Sequence, residues 1–524
     1  MTDFDETFRS AYSFGGPAIE LGHVLRDGAP QAALPVRIPL AMMNRHGLIA
    51  GSTGTGKTRT LQRVAEQLSQ HGVPVFLADV KGDLAGMARA GTSNERIEAR
   101  VKSVGATFQP ANFPTEFFSL TGTHGTQLRA TVSSFGPVLL GKVLDLTEAQ
   151  QSVLAMVFKY ADDRALPLLD FDDLRGVLQY LGNEGKAELK AYGGMSTATV
   201  GVLVRKMVEL EQQGAAKFFG EPELEIADLM RVASDGRGTV NILSLSDVQD
   251  KPRLYSTFLM WLLGQFYYRM PEVGDADKPK LVFFFDEAHL LFDDASSALV
   301  EHIEQVARLI RSKGIGVFFI TQTPKDVAED VLAQLGNRVQ HAFRVFTPKD
   351  AKNLRATAST FPSSEFVDVE KSLTTLGIGE ALVTVLDPRG VPTPVATVQL
   401  LPPSSSMGTL DESGYAQCIA ASPVAGKYAN PIDRDSAHEI LQRKLAESAE
   451  AEERAESGRV SFGPPVSFGT PRNVEPPRSR STSSRGGRQR MSTVEKMANQ
   501  AVRQATRTVT QQVMRGIFGL LKGK

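Results

Sequence analysis

The 524-residue sequence contains one cysteine and one tryptophan, and its charges nearly cancel. The single cysteine, Cys418, excludes an intramolecular disulfide framework and suits a reducing cytoplasm. A formal net charge of −1 excludes the global imbalance that would indicate nucleic acid or membrane as a partner. No apolar run is long enough to span a bilayer, and the acidic N-terminus lacks the hydrophobic region of a secretion signal. We therefore expect a cytoplasmic protein.

Residues 51–58 form the most informative motif, because a hydrophobic run leads into the pattern G-x-x-x-x-G-K-[ST], the Walker A loop. Its glycines let backbone N–H groups close around phosphate oxygens, and the helix predicted over residues 58–70 adds the positive end of its dipole. Lys57 is expected to reach the β- and γ-phosphates, and the Thr58 hydroxyl to coordinate Mg²⁺. The predicted ATP ligands in this loop are Gly51, Ser52, Thr53, Gly54, Thr55, Gly56, Lys57 and Thr58.

A second motif follows the apolar run at 280–285, where Asp286 and Glu287 form an adjacent acid pair, the pattern of a Walker B strand. Doubly wound sheets bind ligands at the C-terminal ends of their strands, so this pair is expected at the ligand edge. Asp286 is predicted to hold Mg²⁺ together with Thr58. Glu287 is predicted to orient or deprotonate the water that attacks the γ-phosphate, which favours ATP hydrolysis over phosphoryl transfer to a small acceptor.

A third motif is the apolar run at 314–321, which ends at Gln322. Its spacing from the acid pair predicts a strand inserted between the Walker A strand and the acidic strand. Gln322 would then lie beside the γ-phosphate, where its amide both donates and accepts hydrogen bonds. We therefore count Gln322 among the predicted catalytic residues, as a sensor of the phosphate.

Composition and periodicity divide the chain into segments. Alternating strand and helix signals predict an α/β fold with a parallel-rich sheet. The stretch 457–490 has too few large apolar residues to form a core. The predicted segments are a short N-terminal β segment (1–44), a P-loop ATPase domain (45–400) with a helical insertion (about 123–238), a polar, largely disordered linker (401–490) with a charged helix (about 433–456), and a basic amphipathic C-terminal helix (491–524).

The predicted C-terminal helix carries an apolar stripe opposite the basic residues Arg503, Arg507 and Arg515. Such a helix packs on an oligomer, lies on a membrane surface or contacts nucleic-acid phosphates. Packing is the plainest of the three interpretations. The sequence leaves a membrane surface and a protein partner open for this segment.

Four runs of sequence together resemble the HerA and FtsK group of hexameric DNA-translocating ATPases. They are the Walker A loop, Asp286-Glu287-Ala288-His289, residues 308–316, and Thr321-Gln322-Thr323-Pro324. Residues 44–51 and the helical insertion are most similar to a bacterial HerA-like branch. The resemblance spans about residues 15–400 and implies a RecA-like ASCE P-loop NTPase fold.

The resemblance also implies roles for three residues outside the Walker motifs. Arg311 matches the family's arginine finger, which enters the site of the neighbouring subunit. Arg45 matches an arginine that acts on the nucleotide within its own subunit, and Asp79 matches an acid at the end of the second strand. Both are counted among the predicted nucleotide-binding residues. The other finger candidates are Arg308, Arg338 and Arg344.

The predicted function is ATP hydrolysis with Mg²⁺ in a homo-oligomer, with a ring hexamer favoured and DNA as the partner that is moved. The alternative is a non-translocating ATPase that acts as a scaffold or remodels a protein or membrane complex. A small-molecule kinase is disfavoured, because Glu287 suits the activation of water and no lid segment is evident.

Overall fold

Twelve strands form one open sheet in the computed structural model, which describes residues 3–274, 276–292 and 297–457. Within these residues the order across the sheet is β2-β1-β12-β11-β10-β3-β9-β8-β4-β7-β5-β6. The strands are β1 (Ala18–Arg26), β2 (Ala29–Pro39), β3 (Gly47–Ala50), β4 (Val75–Asp79), β5 (Thr115–Ser119), β6 (Thr126–Gln127), β7 (Val240–Ser244), β8 (Leu281–Phe285), β9 (Ile315–Thr321), β10 (Asn337–His341), β11 (Glu380–Thr384) and β12 (Ala396–Leu400).

In this order, the strands from β10 to β6 are parallel to their neighbours. The four strands on the other side of β10 pair antiparallel; they are β11, β12, β1 and β2. The mostly parallel sheet confirms the α/β fold class of a P-loop ATPase. Strand β9 lies between β3 and β8, as predicted for the strand that ends at Gln322. The C-terminal ends of these parallel strands therefore share one edge of the sheet.

Helices cover both faces of the sheet. Those before and within the predicted insertion are α1 (Phe4–Tyr12), α2 (Lys57–Gln70), α3 (Glu95–Lys102), α4 (Val132–Val143), α5 (Glu148–Asp163), α6 (Phe171–Gly182), α7 (Lys186–Leu189), α8 (Thr197–Leu210), α9 (Ala216–Phe218) and α10 (Ile226–Leu229). Those after it are α11 (Pro252–Arg269), α12 (His289–Phe292), α13 (Ser297–Ile310), α14 (Glu329–Leu332), α15 (Pro348–Ala358), α16 (Val369–Thr375), α17 (Glu412–Ala421), α18 (Ala425–Tyr428) and α19 (Ala437–Ser457).

The central strands are apolar on both faces, because successive side chains along a strand point to opposite sides. On β8, Phe283 and Phe285 belong to the core shared with the helices of the insertion. Phe284 belongs to the core on the other face, which also contains Leu61 of α2 and Phe8 of α1. The result is a sheet between two helical layers.

The N-terminal segment contains a helix that the sequence interpretation missed. Helix α1 is capped by the Asp3 side chain, which accepts a hydrogen bond from the Asp5 amide. Its Phe8 and Tyr12 are buried, and the Tyr12 hydroxyl donates to the carbonyls of Val383 and Pro394. Because β1 pairs with β12, the predicted β segment is part of the same sheet as the Walker A strand.

The prediction of a largely disordered linker from residue 401 is wrong for residues 401–432. Helices α17 and α18 lie there, and Leu410, Tyr415 and Tyr428 are buried within a polar sequence. The charged helix predicted at about 433–456 is present as α19. These isolated apolar residues pack against the core formed earlier in the chain, so a local composition average does not detect them. The rest of the predicted linker and the predicted C-terminal helix lie outside the described residues.

Among the described residues, no helix combines the length and apolar character needed to cross a bilayer. Cys418, on α17, is a free and partly buried thiol. The cytoplasmic location stays a prediction.

Candidate functional site

The Walker A loop joins β3 to α2 at the C-terminal edge of the sheet. It is tied to both neighbouring strands, because the Gly51 amide donates to the Thr321 carbonyl at 3.2 Å and the Ser52 amide to the Ala342 carbonyl at 3.0 Å. Gly51 has a φ of 152°, and a Cβ at this position would lie 2.5 Å from the Cβ of His341. Only glycine fits that approach, and the loop is therefore held in a defined shape.

Lys57 begins α2, with Thr58 beside it in the first helical turn. The Lys57 ammonium donates to the carbonyl oxygens of Gly51 at 2.8 Å and Ser52 at 3.3 Å. Burial lowers the pKa of Lys57, while the nearby charges of Glu287 and Asp286 oppose that shift. The free N–H groups of the first turn and the lysine thus make an anion site that faces the acid pair.

His341, at the end of β10, packs against the Walker A loop. The sequence interpretation missed this residue. It is fully buried, and its Nε2 lies 2.9 Å from the hydroxyl of Thr60 on α2. Burial lowers its pKa to about 3, so the ring is neutral and packs as a polar spacer under Gly51. A histidine far along the chain from the loop gives no local signal of this role.

The acid pair lies at the end of β8, two strands from the Walker A strand. Asp286 is buried, and burial together with the charge of Glu287 raises its pKa to about 7. Glu287 has a φ of 48°, in the left-handed region, and its amide donates to Asp286 Oδ1 at 2.9 Å. The acid pair therefore lies at a strained turn, and the roles of the two carboxylates stay predictions.

Lys81 forms an ion pair with Glu287 and is a second residue that the sequence interpretation missed. It lies in the turn after β4, and its ammonium contacts Oε1 of Glu287. The lysine side chain is 52% exposed and that of Glu287 8%. Lys81 therefore holds the predicted catalytic carboxylate from the solvent side, in competition with a water molecule.

Replacing Lys81 with alanine is expected to raise the basal rate of ATP turnover, because Glu287 no longer has to leave an ion pair to take a proton. The increase should be about twofold to fivefold, which corresponds to an exposed pair of ~0.4–1 kcal/mol. Lys81→Arg should retain the wild-type rate, and Lys186→Ala, at an exposed lysine of α7, serves as the control. A rate that falls in Lys81→Ala would show that the ion pair supports catalysis instead.

Asp79 shapes the turn that carries Lys81. It is buried, and its two oxygens accept hydrogen bonds from the amides of Gly82 at 2.8 Å and Leu84 at 3.1 Å. Burial and the charge of Asp83 raise its pKa to about 6. The structure thus places Asp79 as a turn residue at the ligand edge, and the nucleotide-binding role predicted for it stays a prediction.

Gln322 directly follows β9 and is exposed at the same edge. The parallel neighbours of β9 lead into the Walker A loop on one side and into the acid pair on the other. The structure therefore brings Gln322, the loop and the acid pair to one edge, as the sequence predicted. Its role as a phosphate sensor stays a prediction.

Arg45 and Arg311 lie at the opposite edge, before the strands β3 and β9. Together with Arg308 and Arg338, both line a cavity of about 490 Å³. We call it the arginine cavity. Strand β3, four residues at ~3.3 Å each, separates Arg45 from the Walker A loop. The action predicted for Arg45 on the nucleotide of its own subunit stays a prediction.

The other arginines differ in how much of their hydrogen-bonding capacity is already used. Arg338 donates to the carbonyls of Leu332, Leu335 and Thr360, and Arg308 pairs with Glu304. Arg344 lies at the ligand edge, where its amide donates to the Ser52 hydroxyl at 2.9 Å. Arg311 is exposed at the rim of the arginine cavity, which leaves it the best placed to reach a second molecule.

The residues at the ligand edge suit Mg²⁺ better than a metal held by protein side chains alone. Within the described ranges there is no cluster of three or more His, Cys, Asp or Glu side chains with metal-binding geometry. Mg²⁺ in phosphate sites uses one or two protein ligands and completes its shell with phosphate oxygens and water. The Thr58 hydroxyl and the buried Asp286 carboxylate fit that donor set.

The family model for the helicase HerA-like C-terminal family matches residues 25–524. The chain belongs to this family. It is a P-loop ATPase, and the Walker loop, the acid pair and the inserted strand are the parts of that enzyme class that the fold brings together. This confirms the resemblance inferred from the sequence motifs.

Relatives in the family are distant. The DNA double-strand break repair helicase HerA of Saccharolobus solfataricus is 22% identical over 385 residues, which are 72% of this chain and 68% of the relative. The HerA protein of Sulfurisphaera tokodaii is 22% identical over 361 residues, which are 66% of this chain and 64% of the relative. The chain thus spans about two thirds of the length of these relatives.

Solved structures of similar fold include the bacterial conjugative coupling protein TrwB and VirB4 of Thermoanaerobacter pseudethanolicus. TrwB is 16% identical, with a TM-score of 0.46 and coverage of 78% of this chain and 95% of TrwB. VirB4 is 16% identical, with a TM-score of 0.44 and coverage of 74% of this chain and 96% of VirB4.

Proposed function

We propose that this ATPase works as a ring oligomer, with a hexamer favoured, that couples ATP hydrolysis to movement along DNA. One observation supports an oligomer. The Walker A loop and the acid pair lie at one edge of the sheet, whereas Arg311 lies at the other. One subunit cannot bring these groups to the same phosphate. Two subunits that meet edge to edge complete the site.

Within one subunit the ligand edge binds the phosphates and activates water. The Walker A amides and Lys57 bind the β- and γ-phosphates, and Thr58 with Asp286 would hold Mg²⁺. Bound there, Mg²⁺ would supply positive charge against the charge that develops on the phosphate oxygens. Glu287 orients the attacking water and takes its proton, while Gln322 hydrogen-bonds the γ-phosphate and responds to its loss.

The neighbouring subunit presents its arginine cavity to this phosphate. Arg311 then stabilises the negative charge of the transition state from outside the subunit that binds ATP. Such a contact joins two different surfaces. One is the edge that carries the Walker A loop, and the other is the opposite edge, which carries the arginine cavity. A heterologous contact of this kind closes into a ring when its rotation allows.

DNA as the moving partner is supported by the relatives, two of which are named as DNA double-strand break repair helicases. Membership of the family supports a motor, while the 22% identity leaves the substrate to experiment. A scaffold or remodelling ATPase would use the same hydrolytic site without DNA.

The test of this proposal measures ATP turnover with single- and double-stranded DNA, and the mass of the protein with and without ATP. We expect DNA to stimulate turnover, the stimulation to fall between ~50 and ~200 mM salt, and the mass to be that of a ring. Lys57→Ala is the control and should be inactive in every condition. Full turnover with no response to either form of DNA would contradict translocation, and a monomer with full turnover would contradict the ring.

A further inference from the structure

A second, smaller cavity of about 180 Å³ lies beside the Walker A loop. Its lining is mostly apolar, and residues from four separate stretches of the chain form its walls. They include Arg59, Arg100, Ile378, Gly379, Leu400 and Met407.

The outer wall of this cavity is the segment that follows β12, and α2 holds it in place. Glu66 of α2 is buried, and its carboxylate accepts hydrogen bonds from the amides of Ser404 at 2.7 Å and Ser405 at 2.8 Å. The Gln62 side chain, also buried, donates to the Ser405 hydroxyl at 2.7 Å and the Ser406 carbonyl at 2.9 Å. The phosphate-binding helix therefore fixes the position of the wall that faces it.

The remaining walls are tied together by Arg100 of α3. Its guanidinium donates to the carbonyls of Ile378 and Gly379, both at 2.8 Å, and to that of Leu400 at 3.2 Å. The Gly379 amide donates in turn to the Thr55 carbonyl at 3.0 Å, within the Walker A loop. The cavity is thus built by buried and charge-assisted hydrogen bonds that connect it to the loop.

The position of the cavity matches the exit of a nucleotide from the phosphate loop. Lys57 takes the β- and γ-phosphates, so the rest of a nucleotide leaves the loop along the first turn of α2. Gly56, Arg59 and Thr60 of that turn line the cavity. Its volume is below the ~300–1,000 Å³ of a pocket for a whole drug-sized ligand and suits one flat ring system.

We propose that this cavity holds the purine base of the nucleotide whose phosphates bind the Walker A loop, an assignment that rests on the proposed function. Ile378, Met407 and the apolar residues after β12 contact the faces of the ring. The lining contains no amide or carboxylate side chain that could read the edge of the base. The Arg100 guanidinium is bound to the carbonyls of the wall, Arg59 donates to Gln62 and to the Asp83 carbonyl, and Arg96, the third arginine of the lining, is exposed to solvent. The site therefore selects a purine by shape and discriminates little between adenine and guanine.

The experiment titrates the full chain by calorimetry with ADP, GDP, CDP and inorganic pyrophosphate, all with Mg²⁺, because diphosphates are not turned over. We expect the affinities for ADP and GDP to agree within about fivefold, and those for CDP and pyrophosphate to be about tenfold weaker or more. Equal binding of ADP, CDP and pyrophosphate would overturn the assignment of the base. A protein that binds none of the four would overturn the proposed function, and the base site with it.

Two variants test the cavity itself. Ile378→Ser removes an apolar contact at a side chain that is 68% exposed, so its fold should persist, and Met407→Trp fills the space. Both should weaken ADP about fivefold or more and leave pyrophosphate unchanged, because only the base meets these residues. Ile432→Ser, at an isoleucine that is 54% exposed elsewhere, is the matched control. Wild-type affinity for ADP in both cavity variants would contradict the proposal.

Discussion

Replacing Arg311 with alanine is expected to lower kcat by about 10³-fold or more, with ATP binding nearly unchanged. The reason is geometric, because Arg311 lies at the edge of the sheet opposite the Walker A loop and, in the proposed ring, reaches only a neighbour's phosphate. An arginine finger stabilises charge that develops in the transition state, so its loss affects turnover rather than affinity. The measurement is steady-state ATP hydrolysis by the assembled protein, beside calorimetric binding of ATP.

A mixture of two inactive variants separates action on a neighbour from action within one subunit. Lys57→Ala removes the phosphate site and Arg311→Ala the finger, so each variant alone is inactive. In a ring assembled from equal amounts, about one quarter of the interfaces join an intact loop to an intact Arg311, and turnover should return there. A mixture as inactive as its components would show that both residues act within one subunit.

The remaining arginines provide controls for this experiment. Arg308→Ala should have a small effect, since Arg308 is exposed and already pairs with Glu304. Arg338→Ala should lower the thermal stability, because three carbonyls lose their donor. A large loss of kcat in Arg308→Ala with none in Arg311→Ala would identify Arg308 as the arginine finger instead.

Replacing Glu287 with glutamine is expected to lower kcat by about 10²- to 10⁴-fold, because the amide cannot accept a proton from water. The substitution keeps the shape of the side chain, so the loop, Lys57 and Asp286 still bind ATP with Mg²⁺. Single-turnover hydrolysis beside calorimetric binding distinguishes the two effects.

A carboxylate outside the site is the control for Glu287. Glu412→Gln, at an exposed position of α17, should keep the full rate. Turnover of Glu287→Gln above about one tenth of wild type would mean that another group activates the water. Gln322, at the same edge of the sheet, would then be the first alternative to test.

Much of this site could be predicted because its residues are adjacent in sequence. The loop at 51–58, the pair Asp286 and Glu287, and Gln322 each follow an apolar run. A buried parallel strand is recognisable as such a run, and its C-terminal end is where a ligand binds. The order of these runs also predicted that β9 separates β3 from β8.

The supporting residues could not be predicted in this way. Lys81 contacts Glu287 across 206 positions of sequence, and His341 packs against Gly51 across nearly 300. The Glu66 carboxylate binds the chain beyond β12. Each contact depends on strand order and on the packing of helices against the sheet, which local periodicity does not specify.

By itself, the sequence determined that the protein binds nucleoside triphosphate phosphates and carries an acid pair for hydrolysis, because those functions need residues that are neighbours in the chain. Only the tertiary structure decided which groups share an edge. It placed Arg45 and Arg311 away from the Walker A loop and built the small cavity beside it. The physical reason is that the two ends of a parallel strand lie at opposite edges of the sheet, so residues a few positions apart in sequence belong to different surfaces.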